Sequence, residues 1–99
     1  MADPSDPFVQ QQRAAIDEAD RQILAALNAR IDAVILLHEH KVRAGYPLSD
    51  PGREEAIIGR MRELNTGPIA DEAVPEVVAA ILTLTRSEVT RLRAQGWGS

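Results

Sequence analysis

Apolar residues recur at helical spacing along almost the first half of the chain. From about residue 9 to residue 44 there is no proline or glycine, and Ala, Leu, Arg, Gln and Glu are frequent, which predicts one unusually long helix. At ~1.5 Å of rise per residue it would extend ~50 Å. A compact monomer of 99 residues has a radius of gyration of only ~13 Å, so we expect this helix to project and to need a covering element.

Two shorter helices are predicted after the long one. Residues 45–48 (Gly-Tyr-Pro-Leu) break the first helix, and residues 49–51 (Ser-Asp-Pro) supply a start signal, an N-cap side chain followed by a first-turn proline. The second helix then runs to about Leu64. It ends there because residues 65–68 (Asn-Thr-Gly-Pro) are a typical helix stop.

The third helix opens at residues 71–72 (Asp-Glu) and carries apolar residues at helical spacing as far as Leu92. Val, Ile and Thr are frequent in it, but a run of roughly 20 residues is too long for a strand. The predicted fold is therefore all-α, one domain over residues 1–99 with a long, a short and a medium helix. We expect residues 1–8 and 96–99 to fray.

Composition removes several classes of function. The chain has no cysteine, and His38 and His40 alone cannot form a zinc site, so we expect neither metal nor cofactor. The formal net charge of −4 and the scarcity of aromatic residues argue against a nucleic-acid partner. No leader-like segment and no apolar run of the ~20 residues that span a bilayer occur, so we expect a cytoplasmic protein without a membrane partner.

Three cations fall on the predicted packing face of the first helix, Arg13, Arg30 and Lys41, where Asp20 is the one acid. Snorkelling at the edge of an apolar stripe explains one such cation more readily than three. Buried cations need anions, so this face predicts an anion-binding pocket. On a wheel of ~100° per residue the stripe consists of Arg13, Ile16, Asp20, Ile23, Leu24, Leu27, Arg30, Ile31, Val34, His38, Lys41 and Val42.

Axial spacing limits which of these cations can share a ligand. Arg30 and Lys41 are separated by ~16 Å of helix rise, so two long side chains leaning together could grip one ligand. Arg13 lies ~25 Å from Arg30 on the same axis. If all three serve one site, Arg13 must come from a second copy whose long helix runs antiparallel, and a two-fold axis would then create two equivalent sites.

Further candidates lie on the other two predicted helices. Arg53 and Glu54 fall in the first turn of the second helix, where an acid is favoured and an Arg is not, so each is either functional or an ordinary surface residue. On the third helix Ser87 and Arg91 are i, i+4 neighbours, and a surface role is the simpler explanation for this Arg.

His38 lies on the packing stripe, where a hydrogen-bonded core or groove histidine is more common than a catalytic base. The chain contains no Ser-His-Asp order, glycine-rich phosphate loop or metal-ligand cluster. The pattern predicts a cationic pocket with one or two polar groups that select the ligand.

These residues together resemble the all-helical class of chorismate mutases. The resemblance runs without a gap from Arg13 to Arg60, about half the chain. In the third helix family members usually have Ser followed four residues later by Gln or Glu, and Ser87 and Arg91 are the best candidates for those positions. The resembling residues are Arg13, Ile16, Asp17, Asp20, Ile23, Leu24, Arg30, Lys41, residues 49–55, Ile58 and Arg60.

The resemblance implies an intertwined homodimer of three-helix chains with antiparallel long helices. It also implies the Claisen rearrangement of chorismate to prephenate, which needs no covalent intermediate, proton transfer or cofactor. The enzyme holds a reactive conformer and stabilises charge on the ether oxygen as its bond to carbon breaks.

The same resemblance implies roles for the cations. Arg30 and Arg13 of the partner subunit would bind the two carboxylates of the substrate. Lys41 would donate to the ether oxygen and a carboxylate, and Arg53 would support the carboxylate side.

Polar residues of the second and third helices complete the implied site. Glu54, with the backbone near Asp50, would read the ring substituent at C4, and Ser87 would line the pocket. Arg91 would place a permanent charge against the ether oxygen where the family commonly has an amide or a protonated acid, or it is a surface residue and that role is empty.

The same residues are compatible with other functions. Relatives of this class rearrange 4-amino-4-deoxychorismate in secondary metabolism, where Glu54 would suit an ammonium at C4, or eliminate pyruvate from isochorismate. A non-catalytic helical dimer that binds a regulatory partner is a further alternative. Small free-standing mutases can depend on a partner enzyme of the shikimate pathway, so such a partner is a candidate here too.

Overall fold

A computed structural model describes residues 6–96, and within them every regular element is helical. The elements are α1 (Pro7–Ala44), α2 (Arg53–Leu64), a short 3₁₀ turn (Asp71–Ala73) and α3 (Val74–Ala94). The predicted order of a long, a short and a medium helix is confirmed. No helix in the described part of the chain is both long enough and apolar enough to cross a membrane.

Asp6 caps the N-terminus of α1. Its Oδ1 accepts a hydrogen bond of 2.8 Å from the backbone N–H of Phe8, and its carbonyl accepts one of 3.0 Å from Gln10. Pro7 follows at the first helical position, where a missing N–H costs nothing. Pro7 and Phe8, which were expected to fray, are thus helical, whereas residues 1–5 and 97–99 lie outside the described residues.

Gly45 ends α1 at the predicted position. Its φ of 74° is in the left-handed region that favours glycine. The backbone N–H of Tyr46 donates to the Lys41 carbonyl at 2.8 Å and that of Gly45 donates to the Val42 carbonyl at 3.3 Å, the Schellman pattern that satisfies the last carbonyls of a helix. The backbone that carries Lys41 is therefore held by the cap.

The start predicted for α2 at residues 49–51 was wrong by two residues. The helix begins at Arg53, its N-cap is Gly52 with φ 86°, and no side chain caps it. Because Gly52 adopts this left-handed conformation, Pro51 belongs to a turn, closed by a hydrogen bond of 3.1 Å from the Arg53 N–H to the Asp50 carbonyl. The end of α2 at Leu64 agrees with the prediction.

Asn65 organises the connection between α2 and α3. Its Nδ2 donates to the Ile69 carbonyl and to Oδ1 of Asp71, both at 2.8 Å, and its Oδ1 accepts from the Gly67 N–H at 3.0 Å. An Asn side chain that hydrogen-bonds to the following backbone can fix the conformation of a loop, as it does in a turn. The connection therefore leads directly into the 3₁₀ turn and α3.

The chain divides within α1, between Arg30 and Ile31, into two units. In the second unit, α2 packs on the start of α3, and Ile57, Val74 and Val78 form the core, with Ile58, Met61 and Leu82 against it. Val78 has no exposed surface. Ile35 of α1 is also buried, although the predicted stripe did not include it.

The first unit contains the N-terminal part of α1, where several apolar side chains are exposed and Leu27 is half-buried. Ile16, Ile23 and Leu24 expose 58%, 57% and 62% of their surface. These three side chains belong to the stripe predicted for packing. The described part of the chain leaves more than half of the surface of each of these three side chains exposed.

Candidate active site

Lys41 lies in the last turn of α1, where the cap described above holds its backbone. Its side chain is half-buried, as expected for a long cation on a packing stripe. It makes no ion pair with another residue in the range 6–96. The ammonium group is therefore free to meet an anion.

His38 lies one turn before Lys41 on the same face of α1 and is half-buried. Its Nδ1 is buried and has no hydrogen-bond partner among the described residues. Burial lowers the pKa of His38, and the positive charges of Arg93 and Lys41 lower it further. The half-burial of His38 is as expected for a residue of the packing stripe, but the described residues supply no hydrogen bond at this nitrogen.

Asp50, Arg53 and Glu54 meet where α2 begins. The backbone bond from Arg53 to Asp50 fixes the turn, and all three side chains are exposed. Glu54 lines a shallow open depression with Gly52. Arg53 and Glu54 make no ion pair with any residue that the structure describes, so a cation and an acid stand side by side and unneutralised at the positive end of a helix.

The predicted residues of α3, Ser87 and Arg91, are exposed. The Arg91 Nε donates to Oε2 of Glu88 at 2.5 Å, and its Nη1 donates to Oε1 of Gln95 at 3.3 Å. Arg91 is thus a paired cation in the chain, unlike Lys41 and Arg53.

Sequence reasoning missed the α3 residues that turn inward. Thr85 and Val89 are buried and Glu88 is half-buried, and the Thr85 hydroxyl donates to the Ile81 carbonyl at 2.7 Å. The i, i+4 spacing of 85 and 89 was an available signal, but the polar pair Ser87 and Arg91 drew the assignment to the opposite side of the helix.

Arg13 and Arg30 belong to the first unit. Arg13 is exposed and makes no ion pair with another described residue, whereas Arg30 is half-buried. Arg13, Lys41 and Arg53 are therefore cations without acidic partners in a chain whose net charge is −4. In contrast, Arg21 and Arg43 pair with acids of their own helix. Such unpaired cations suit a ligand that carries more than one negative charge.

A sequence profile of the family described as chorismate mutase type II matches residues 12–89, most of the chain, and the matched segment contains Arg13, Arg30, Lys41, Arg53 and Glu54. The chain belongs to the chorismate mutase type II family. The resemblance predicted from these residues is confirmed.

A curated protein is similar in sequence to this chorismate mutase type II domain. The bifunctional chorismate mutase/prephenate dehydratase of Neisseria gonorrhoeae is 31% identical to it over 83 residues, which are 84% of this chain and 22% of the relative. The chain therefore spans about a fifth of that relative's length. No solved structure matches it. The family match ends at residue 89, so Glu88 lies inside it and Arg91 lies beyond it.

The lowered pKa of His38 predicts how stability depends on pH. The folded chain binds fewer protons at this site than the unfolded chain, so the stabilisation is complete above the ordinary histidine value of ~6.5 and is lost as the pH falls through the folded-state pKa. Between about pH 7 and about pH 5, His38→Gln should therefore reduce the loss of Tm. Thermal unfolding at fixed protein concentration measures this.

His40→Gln is the matched control, because it removes an exposed histidine from the same helix. It should keep the wild-type dependence of Tm on pH. If Tm changes with pH by the same amount in His38→Gln and in the wild type, the assignment of this dependence to His38 is contradicted.

Proposed function

We propose that the chain is a chorismate mutase, which converts chorismate to prephenate in a homodimer whose two sites each use cations from both subunits. The observation that carries this proposal is the family match together with the unpaired cations inside it, Arg13, Lys41 and Arg53. No acid in the described part of the chain pairs with these three cations. A dicarboxylate would neutralise them.

The reaction suits a site without a nucleophile. In a Claisen rearrangement the ether C–O bond breaks while a new C–C bond forms in the same molecule, so no atom or proton has to be exchanged with the protein. The enzyme gains its rate by holding the two ends of the substrate close together and by stabilising the negative charge that grows on the ether oxygen. Preorganised cations do both.

Each cation has a proposed role. Arg30 and Arg13 of the partner subunit bind the two carboxylates, and Arg53 supports the carboxylate side. Lys41 donates to the ether oxygen and to a carboxylate, which makes it the main catalytic group. The helix cap at Gly45 supports this role because it holds the Lys41 backbone in place.

Polar groups of α2 and α3 set the fit of the ring. Glu54 and the backbone near Asp50 read the substituent at C4, and Ser87 lines the site. The unpaired, exposed carboxylate of Glu54 supports this, because an acid that lacks a cationic partner can accept a hydrogen bond from a hydroxyl.

The second copy is proposed from the open apolar stripe of the first unit. Ile16, Ile23 and Leu24 each expose more than half of their surface, and a helix of 38 residues needs its apolar face buried because helices in water gain most of their stability from packing. The antiparallel long helix of a second copy would cover these side chains and bring in Arg13.

The same site supports a second substrate. Glu54 beside an ammonium at C4 would form a charged pair, which favours 4-amino-4-deoxychorismate. Elimination of pyruvate from isochorismate uses similar cations, and a non-catalytic helical dimer would use none of them for turnover. A partner enzyme of the shikimate pathway would raise a weak activity of the isolated chain.

Purified protein should convert chorismate to prephenate, and a bicyclic dicarboxylate analogue of the transition state should raise its Tm because it binds only the folded chain. Incubation with chorismate, 4-amino-4-deoxychorismate and isochorismate separately, followed by product identification, measures the substrate. Failure to turn over any of the three, together with no thermal shift by the analogue, would establish the non-catalytic alternative.

A mixed dimer tests whether Arg13 crosses between subunits. Arg13→Ala and Lys41→Ala should each inactivate the homodimer. A heterodimer of the two, purified through a different tag on each chain, should recover about half of the wild-type kcat, because one of its two sites then combines intact Arg13 and Lys41.

The matched control is the heterodimer of Lys41→Ala with Arg53→Ala, two residues proposed to serve a site from the same chain. Each of its sites carries one defect, so it should stay inactive. If the Arg13→Ala and Lys41→Ala heterodimer is equally inactive, Arg13 does not act across subunits.

The contact from α3 to the ether oxygen is assigned to Arg91, which is ion-paired to Glu88. Arg91→Ala should lower kcat far more than it raises KM, because the contact strengthens only in the transition state. Steady-state kinetics on chorismate measure this. An unchanged kcat would remove Arg91 from the site.

Glu88→Gln serves as the companion variant, since the half-buried Glu88 lies inside the family match. A fall in kcat for Glu88→Gln that exceeds the fall for Arg91→Ala would transfer the ether-oxygen contact to Glu88.

A further inference from the structure

His38 is a half-buried titratable group that the proposed function leaves without a role. It lies on α1 three residues before Lys41, on the same face. Its Nδ1 is buried without a hydrogen-bond partner among residues 6–96. Buried polar atoms nearly always have a partner, so a buried ring nitrogen without one is unusual.

The surroundings of His38 select its protonation state. A histidinium would carry an N–H donor at both ring nitrogens, and here one of them would be buried without an acceptor. It would also face the positive charges of Lys41 on α1 and Arg93 on α3. Both effects disfavour the charged ring, so His38 is neutral at pH 7.

The same surroundings select the tautomer. A neutral imidazole has one N–H and one lone pair. Unpaired buried N–H groups are rarer in proteins than unpaired acceptors, and a lone pair is attracted by the nearby cations whereas an N–H is repelled. The hydrogen therefore belongs on Nε2, and Nδ1 keeps the lone pair.

We propose that His38 is a specificity-determining residue of the substrate site, a neutral Nε2–H donor that contacts the anionic ligand held by Lys41. The inference rests on the proposed function, because the ligand is the dicarboxylate assigned there. A neutral donor adds a directional hydrogen bond without adding a further permanent charge to the proposed cations of a site that must also release its product.

Linkage gives this arrangement a measurable consequence. A bound dianion favours the charged ring, so it raises the pKa of His38, and protonation of His38 then tightens binding of the dianion by the same factor. Affinity for a dicarboxylate should increase as the pH falls from about 7 to about 5.5, a range in which histidine titrates. Burial of the ring, and then the charges of Arg93 and Lys41, oppose this protonation in the absence of ligand.

Ring nitrogen NMR of the ¹⁵N-labelled dimer tests the assignment directly. In the free protein Nδ1 of His38 should be unprotonated and Nε2 protonated at pH 7, and addition of the bicyclic dicarboxylate analogue should move the Nε2 proton and raise the titration midpoint. A protonated Nδ1 in the free dimer, or no response of the ring to the analogue, would overturn the proposal.

Matched variants separate a ligand contact from a packing role. A glutamine can place an amide N–H near the position of Nε2, and an apolar leucine cannot. His38→Leu should raise KM for chorismate about three- to tenfold, the effect of one neutral hydrogen bond, with little change in kcat. His38→Gln should restore most of the affinity, and its binding should lose the dependence on pH.

His40→Gln is the control on the exposed side of the helix and should leave KM unchanged. A wild-type protein that turns over chorismate while His38→Leu keeps the wild-type KM would overturn the role of His38 and leave the proposed function standing. A wild-type protein that neither turns over chorismate nor binds the analogue would overturn both.

Discussion

The structure depends on burial of the apolar face of α1. A helix of 38 residues gains little from intrinsic propensity in water, and what holds it is the packing of its apolar side chains. Within one chain Ile35 is buried, but Ile16, Ile23 and Leu24 are exposed. This imbalance underlies the proposed dimer, in which the surface that completes the fold also delivers Arg13 to a site.

Function follows from which charges the fold leaves unpaired. Surface cations on helices are readily neutralised by an acid one turn away, as Arg21 is by Glu18 and Arg43 by Glu39. Lys41 and Arg53 make no ion pair with an acid among residues 6–96. In an acidic chain carboxylates are plentiful, so cations that remain without an acidic partner are candidates for ligand-binding groups.

The surroundings of His38 also influence its protonation state. Burial of the His38 ring is the main cause of its lowered pKa, and the charges of Arg93 and of Lys41, which would hold the dicarboxylate, lower it further. A site of this kind combines permanent positive charges with one neutral donor whose charge the ligand itself can change. The two properties have one contributor in common, the positive charge of Lys41.

Local sequence rules were sufficient to predict where a helix runs and ends when only the backbone conformation of nearby residues decides it. The absence of proline and glycine defined the span of α1, and Gly45 ended it because a left-handed residue is needed there. The same Asp-Pro signal acted differently at two places. It starts α1 at Asp6 and Pro7, but before α2 it is overridden by the left-handed Gly52.

The family, the all-helical class and the cations of α1 and α2 were accessible from the sequence, because residue types at fixed spacing determine which face of a helix is charged. The sequence did not predict which residues of α3 are buried, nor that Nδ1 of His38 lacks a hydrogen-bond partner among the described residues. Whether a side chain is buried, and whether its polar atom finds a partner, depends on the helix that packs against it. Only the tertiary structure decides that, since contacts between distant segments are not encoded in the spacing of either one.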